Sequence, residues 1–304
     1  MIDISVCICT FQRPDRLLQL LRSLRRQIPA TPRYEVIVVD NDADRTGEPA
    51  VQQARAEGLD VHYAVEPQRG IARARNRSVA PARGEYVAFI DDDEEADPQW
   101  LAQLWGEARR HGADGAIGPV IPMFPEGTPA WLVEGKFFER PRFPTGTVLE
   151  AKLTRTGNAL VRRRWLTALE GPFDEQCDLT GGEDTDLFVR LLAAGARFIA
   201  VDSAIVYEHL LPARATIRWL FQRRFLAGLG GARVDYLRAP AHERRWQGVR
   251  HFGLACKWSA LGMLALPASR TTGFDRLLRA ARMLGRCAFF GGFSYRPYLK
   301  DSWR

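Results

Sequence analysis

Four acidic residues in a row, Asp91-Asp92-Asp93-Glu94, follow the apolar run Tyr86-Val87-Ala88-Phe89-Ile90. The run has the length and composition of a buried strand, so four carboxylates emerge together at its end. Carboxylates this close repel one another. A divalent cation such as Mg²⁺ or Mn²⁺, with an anionic ligand on its far side, relieves that repulsion. A solvated acidic turn explains the same four residues, so the surrounding sequence has to decide between the two.

A second acidic constellation lies in Gly181-Gly182-Glu183-Asp184-Thr185-Asp186. The spacing of Leu187, Phe188, Leu191 and Leu192 predicts a helix from Asp184, with Glu183, Asp184 and Asp186 around its first turn. Acids at that position complement the helix dipole and cap free amides. The two preceding glycines allow more, because they let backbone approach a ligand closely, and a carboxylate held there can take a proton from a bound hydroxyl.

The elements that must position these groups alternate from Ile4 to about Ala200 between short apolar runs and helical stretches. That is the pattern of a mostly parallel α/β sheet with helices on both faces. The predicted strands are Ile4–Cys9, Tyr34–Val39, Val61–Ala64, Tyr86–Ile90 and Ala116–Val120. Leu17, Leu18, Leu21, Leu24 and Ile28 behind Pro14 predict one crossover helix, and Glu48–Gly58, Gly70–Ala82 and Pro98–His111 three more. Ligands of such sheets gather beyond the C-terminal strand ends. The loops there are polar: Thr10-Phe11-Gln12-Arg13-Pro14, Asp40-Asn41-Asp42, Glu66-Pro67-Gln68-Arg69-Gly70 leading to Arg75 and Asn76, and the acidic cluster. Acidic and basic groups on one rim suit a nucleotide diphosphate held through a metal. Residues 121–155, rich in Pro, Gly and aromatics, break the period and predict a long excursion over the sheet, of the kind that forms lids or acceptor sites.

The net charge of +7 hides an asymmetry. Residues 212–304 carry 18 Lys/Arg against 4 Asp/Glu, and residues 1–211 carry 25 against 32. A division into 1–211 and a basic, amphipathic helical extension 212–304 follows. The five cysteines, without metal-ligand spacing, read as reduced thiols, with Cys7 and Cys9 packing on one face of a strand. The first residues lack the features of a signal peptide, and no apolar run has the length of a membrane span, so a cytoplasmic or membrane-peripheral location is expected.

Taken in order, Val6-Cys7-Ile8-Cys9-Thr10-Phe11-Gln12-Arg13-Pro14, Val38-Val39-Asp40-Asn41, Ala74-Arg75-Asn76, Phe89-Ile90-Asp91-Asp92-Asp93 and Gly182-Glu183-Asp184-Thr185-Asp186-Leu187 resemble the family 2 inverting glycosyltransferases of the GT-A (nucleotide-diphospho-sugar transferase) fold. The resemblance runs from residue 3 to about 210. It is nearest to the bacterial transferases of exopolysaccharide assembly of the succinoglycan type. It implies a nucleotide pocket of Thr10, Phe11, Arg13, Asp40, Arg75, Asn76, Asp91 and Asp92, and Mn²⁺ or Mg²⁺ at Asp93. It also implies Asp184 as the base with Glu183 beside it, and His209 where some members supply a further metal ligand. A lone histidine also serves in packing or at the surface. The Gln-x-x-Arg-Trp motif of processive relatives is not matched, since Gln222-Arg223-Arg224-Phe225 stands there, which favours single additions.

The expected activity is metal-dependent transfer from a nucleotide diphosphate donor, UDP-linked, to a saccharide acceptor, lipid-linked, in cell-surface polysaccharide synthesis. Arginines among aromatics in 212–304 suit an anionic membrane surface on the inner face of the cell membrane, and no nucleic-acid recognition motif occurs there. A helical cap packed on the core explains the same apolar stripes. Two alternatives compete. A sugar-phosphate nucleotidyltransferase would carry a glycine-rich loop after the first strand, which is missing here. A non-catalytic carbohydrate- or membrane-binding protein on the same fold would not need Asp93 and Asp184.

Overall fold

Alternation along Ile4-Ser5-Val6-Cys7-Ile8 sends Ile4, Val6 and Ile8 to one face of a strand and Cys7 to the other, and both faces are buried. The computed structural model describes residues 2–28, 32–178, 181–238 and 241–291. In it this strand, β1 (Ile4–Thr10), is followed by α1 (Pro14–Arg25), β2 (Tyr34–Asp40), α2 (Glu48–Ala56), β3 (Val61–Val65), α3 (Ile71–Val79) and β4 (Tyr86–Phe89). These four strands are parallel neighbours in the order β3-β2-β1-β4, each within about a residue of its predicted bounds. Pro14 starts α1. Leu17, Leu20, Leu21 and Leu24 on its inner face are fully buried, each worth about 1.5–3 kcal/mol against exposure.

After β4 come β5 (Glu94–Ala96), α4 (Trp100–Arg110), β6 (Gly115–Ile117), β7 (Val120–Met123), α5 (Ala130–Glu134), β8 (Ala159–Arg162), α6 (Arg163–Thr167), α7 (Glu183–Ala193), β9 (Phe198–Ala200) and β10 (Val206–His209). Strand β8 enters antiparallel between β4 and β6, and β9 closes the seven-stranded sheet parallel to β6. The predicted strand Ala116–Val120 is in fact two. The chain breaks at Gly118-Pro119, where glycine is required, since any side chain at Gly118 would strike the Ala204 carbonyl and the Asn158 amide. Strand β7 instead joins a second sheet, β5-β10-β7. The acidic cluster therefore joins the two sheets, entered from β4 and left along β5.

Two apolar cores cover the main sheet. One joins alternate residues of β1 to α1, α2 and α4, and the other joins Cys7, Val87 and Phe89 to Ala72 of α3 and Leu187 and Phe188 of α7. The Cys7 thiol donates to the Ser78 carbonyl at 3.2 Å, and burial pushes the Cys9 thiol up to about 12, so both behave as packing groups.

A third cluster joins the 121–155 excursion to α8 (Ile217–Arg238) and α10 (Arg270–Phe290), the first and last of three C-terminal helices, with α9 (Ala241–Ala265) between them in the chain. Trp131 stacks on Phe274 with ring centres 5.0 Å apart, and Phe138 on Trp219 at 5.9 Å. Helices α8 and α10 meet backbone to backbone at Gly228 and Gly285, where a Cβ would collide with the carbonyls of Arg282 and Phe225. Among the described residues no helix is long and apolar enough to cross a membrane. Residues 292–304 of the expected extension lie outside the described residues.

Candidate active site

The acidic cluster leaves β4 as a tight turn. The Glu94 N–H donates to the Asp91 carbonyl at 3.1 Å, and the Asp91 N–H to Glu94 Oε2 at 2.9 Å. The turn sends successive carboxylates in different directions. Asp92 points inward, where Thr10 Oγ1 donates to its Oδ2 at 2.9 Å and Arg13 Nη1 to its Oδ1 at 3.0 Å. Burial pushes Asp92 up to about 6, against the pull of Arg13. Asp93 Oδ2 accepts from Arg214 at 2.7 Å and Arg13 at 3.2 Å. The Asp93 carbonyl accepts the His209 N–H at 3.2 Å, which places β10 beside the cluster. The His209 ring turns away, its Nε2 3.0 Å from Glu95 Oε2.

Among the described residues no three His, Cys, Asp or Glu side chains converge as a ready ligand set. The charges nevertheless suit a cation. Burial raises Asp91, Arg75 opposes it, and Asp93 and Asp184 raise it further. Glu208 on β10 is likewise raised by burial, opposed by Arg223, and pushed up by Asp93 and Asp91. Hard oxygens under mutual repulsion fit Mg²⁺ or Mn²⁺. Arg13 and Arg214 hold the Asp93 carboxylate that would turn to the ion.

Helix α3 separates the two residues that the sequence grouped beside a nucleotide, because consecutive helical positions lie about 100° apart. Arg75 is buried, donates from Nη1 to Glu183 Oε1, and reaches Asp91 Oδ1 with Nη2 at 3.4 Å. Asn76 faces the other way and clamps Phe173: its Nδ2 donates to the Phe173 carbonyl and its Oδ1 accepts the Phe173 N–H, both at 2.9 Å. Asp40 is also turned to its own chain. It is fully buried, and Oδ2 accepts from the Gly47 N–H at 2.7 Å and the Tyr63 hydroxyl at 2.8 Å, so it shapes the loop after β2. Asn41 ties that loop to the next, donating to the carbonyls of Glu66 and Gln68 and accepting from the Gly70 N–H. Phe11 lies under the Arg69 guanidinium, 4.2 Å from its ring centre.

Gly181 and Gly182 have φ of +75° and +99°, a left-handed pair that only glycine adopts without strain and that aims α7 at the cluster. The two acids opening α7 then diverge. Glu183 is 5% exposed and its Oε2 has no partner. Burial pushes it up to about 7, Arg75 opposing and Asp184 adding. Among the described residues Asp184 bonds only to Thr185, whose N–H donates to its Oδ1 at 2.6 Å. It lines a cavity of about 790 Å³ walled by Gly182, the excursion, α8 and α10, within the size range of small-molecule sites. Thr10, Arg75, Asp91 and Asp93 do not line it. Glu183 is therefore an anchor, and Asp184 is the carboxylate that faces the cavity. Sequence reasoning missed Arg140 and Arg155 in this cavity and Arg214 at Asp93. Arginines in aperiodic loops carry no signal of direction.

Known proteins resemble this chain in sequence and in fold. Succinoglycan biosynthesis protein ExoM of Rhizobium meliloti (strain 1021) is 34% identical over 247 residues, covering 81% of this chain and 79% of that one. Glycosyltransferase AglE of Haloferax volcanii is 31% identical, covering 87% and 82%. The crystal structure of S. aureus TarS 1-349 in complex with UDP superposes with a TM-score of 0.55 at 18% identity, covering 97% of this chain and 93% of that one, and shares its GT-A fold. The family described as Glycosyl transferase family 2 matches residues 5–168. With more than half its length so matched, the chain belongs to glycosyl transferase family 2 and is a transferase.

Proposed function

We propose that this enzyme moves a sugar from a UDP-linked donor to a hydroxyl of a saccharide acceptor with inversion at the anomeric carbon. The donor lies along the rim after β1, β2 and β4, beside Thr10, Phe11, Arg13, Arg75 and Asp91. Asp40 and Asp92 set the loop and turn beneath it, and Asn76 steadies the wall through Phe173. Asp93, with Asp91, holds Mn²⁺ or Mg²⁺, and His209 joins only by leaving Glu95. When bound, the ion neutralises charge on the departing diphosphate. Asp184 takes the proton of the acceptor hydroxyl as its oxygen bonds the anomeric carbon. The bond to the diphosphate oxygen breaks on the opposite face, and the electron pair leaves with the diphosphate. One displacement needs one base.

The observation that carries this reading is Asp184 at the cavity wall, at the head of a helix tied through Glu183 and Arg75 to Asp91. The UDP complex of the structural neighbour supports the donor class, and the relatives' names support polysaccharide assembly. The acceptor is lipid-linked and met at the inner face of the cell membrane. There residues 212–304 act as a basic extension of a catalytic unit 1–211, and α9 exposes Trp246, Val249, Phe252, Met263 and Leu264. The test is a thermal-shift comparison of UDP-, GDP-, dTDP- and CMP-sugars with Mn²⁺ or Mg²⁺. Stabilisation by UDP-sugar that needs metal and vanishes in Asp93→Ala is expected. Stabilisation by nucleoside triphosphates alone would overturn the reading in favour of nucleotidyl transfer.

A further inference from the structure

The cavity beside Asp184 is lined by seven arginines, among them Arg140, Arg155, Arg223 and Arg282. Its acids other than Asp184 are already matched to cations. Asp202 pairs with Arg142 at 2.7 Å, Asp235 with Arg286, and Glu139 with Lys136 at 4.0 Å. Arg140, Arg155, Arg223 and Arg282 form no carboxylate pair among the described residues, and Arg155, 9% exposed, has an Nε with no hydrogen-bond partner. Burial and the like charges of Arg140 and Arg223 hold Arg155 down to about 9. Guanidinium groups gathered around one cavity without an anion repel one another, and oxyanions with several acceptor oxygens relieve that repulsion through forked hydrogen bonds.

We propose that this cavity is the acceptor site and that it selects an acceptor bearing a phosphate-type anion, seated among Arg140, Arg155, Arg223 and Arg282 with the reacting hydroxyl at Asp184. The inference rests on the glycosyl-transfer reading for the role of Asp184, and the anion site itself does not require that reading. Three different segments supply the arginines: the excursion gives Arg140 and Arg155, α8 gives Arg223, and α10 gives Arg282. The basic C-terminal third thus contributes to substrate recognition as well as to any membrane contact. Donor and acceptor anions occupy separate places, the first at the strand-end rim and the second behind Asp184.

Inorganic pyrophosphate is the probe, titrated calorimetrically into the full chain. Arg140 and Arg282 are exposed and form no carboxylate pair among the described residues, so Arg140→Gln with Arg282→Gln should fold normally; Arg155→Gln is the more buried companion. Each lost arginine should weaken binding roughly tenfold, while Asp93→Ala should bind as wild type. Wild-type affinity in the arginine variants, with binding lost in Asp93→Ala, would place the anion at the donor rim and overturn the proposal, leaving sugar transfer intact. Conversely, arginine-dependent pyrophosphate binding without any nucleotide-sugar shift sustains the cavity site and removes the donor assignment. A short prenyl diphosphate binding more tightly than pyrophosphate identifies a lipid carrier as the source of the anion; equal binding of a glycerol-phosphate oligomer identifies a soluble phosphate polymer. Binding of oligoglucuronate but not pyrophosphate would refute a phosphate-type ligand.

Discussion

Arg75 on α3 and Glu183 at the head of α7 form a buried ion pair across 108 positions of sequence, and the same guanidinium reaches Asp91. One side chain therefore fixes the distance between the donor rim and the helix that carries the proposed base. Glu183 completes the pair with one oxygen and leaves the other without a partner.

Asp184→Asn should lower sugar transfer by about 10²–10⁴-fold, the range for losing a general base. The metal-dependent shift with donor should persist, because among the described residues Asp184 bonds only to its neighbour Thr185. Transfer at the wild-type rate would remove the base assignment.

Glu183 gives stability a pH dependence of definite sign. Its folded pKa is about 7 against an ordinary 4.5. Between those values the native state binds more protons than the unfolded state, so stability falls as pH rises, by up to about 1.4 kcal/mol per pH unit. Below the lower value the contribution is constant. Urea unfolding at several pH values from 4.5 to 7.5 should show this fall in wild type and a flatter profile in Glu183→Gln. Equal slopes would contradict it.

Gly285→Ala should destabilise the helical extension by about 1–3 kcal/mol, as overpacking does, because the new methyl meets the Phe225 carbonyl. Gly253→Ala on α9 has open space around it and should stabilise by roughly 0.5–1 kcal/mol through helix propensity. Calorimetric melts of the two variants should move in opposite directions.

Replacing Trp246, Phe252 and Leu264 together by Ser should abolish binding to anionic vesicles while leaving the donor-induced thermal shift unchanged. The exposure of these residues, 72%, 59% and 76%, leaves little packing to lose. Wild-type binding should weaken with salt. Retention by the triple variant would point to another contact surface.

Sequence periodicity carried β1 to β4 and their helices, because a strand buried on both faces and a leucine stripe each leave a local pattern. The short strands β5 and β9, three residues each, leave none, and the antiparallel insertion of β8 is a tertiary choice. Residue type located the acids but not their directions. Asp92 and Asp93 differ by one position, yet one serves the interior and the other faces Arg214. Asn76 looked like a ligand for the same reason that Arg75 did, and only the helical rotation between them separates a half-buried clamp on Phe173 from a buried cation at Asp91. The cavity arginines come from three distant segments, so no local spacing could announce them.

The aromatic seam that joins Trp131 and Phe138 to Phe274 and Trp219 also has a consequence for protein engineering. The excursion and the C-terminal helices form one exchangeable cassette. A chimera that imports a new acceptor preference must transplant both stretches together, since either alone leaves half a seam facing a foreign surface.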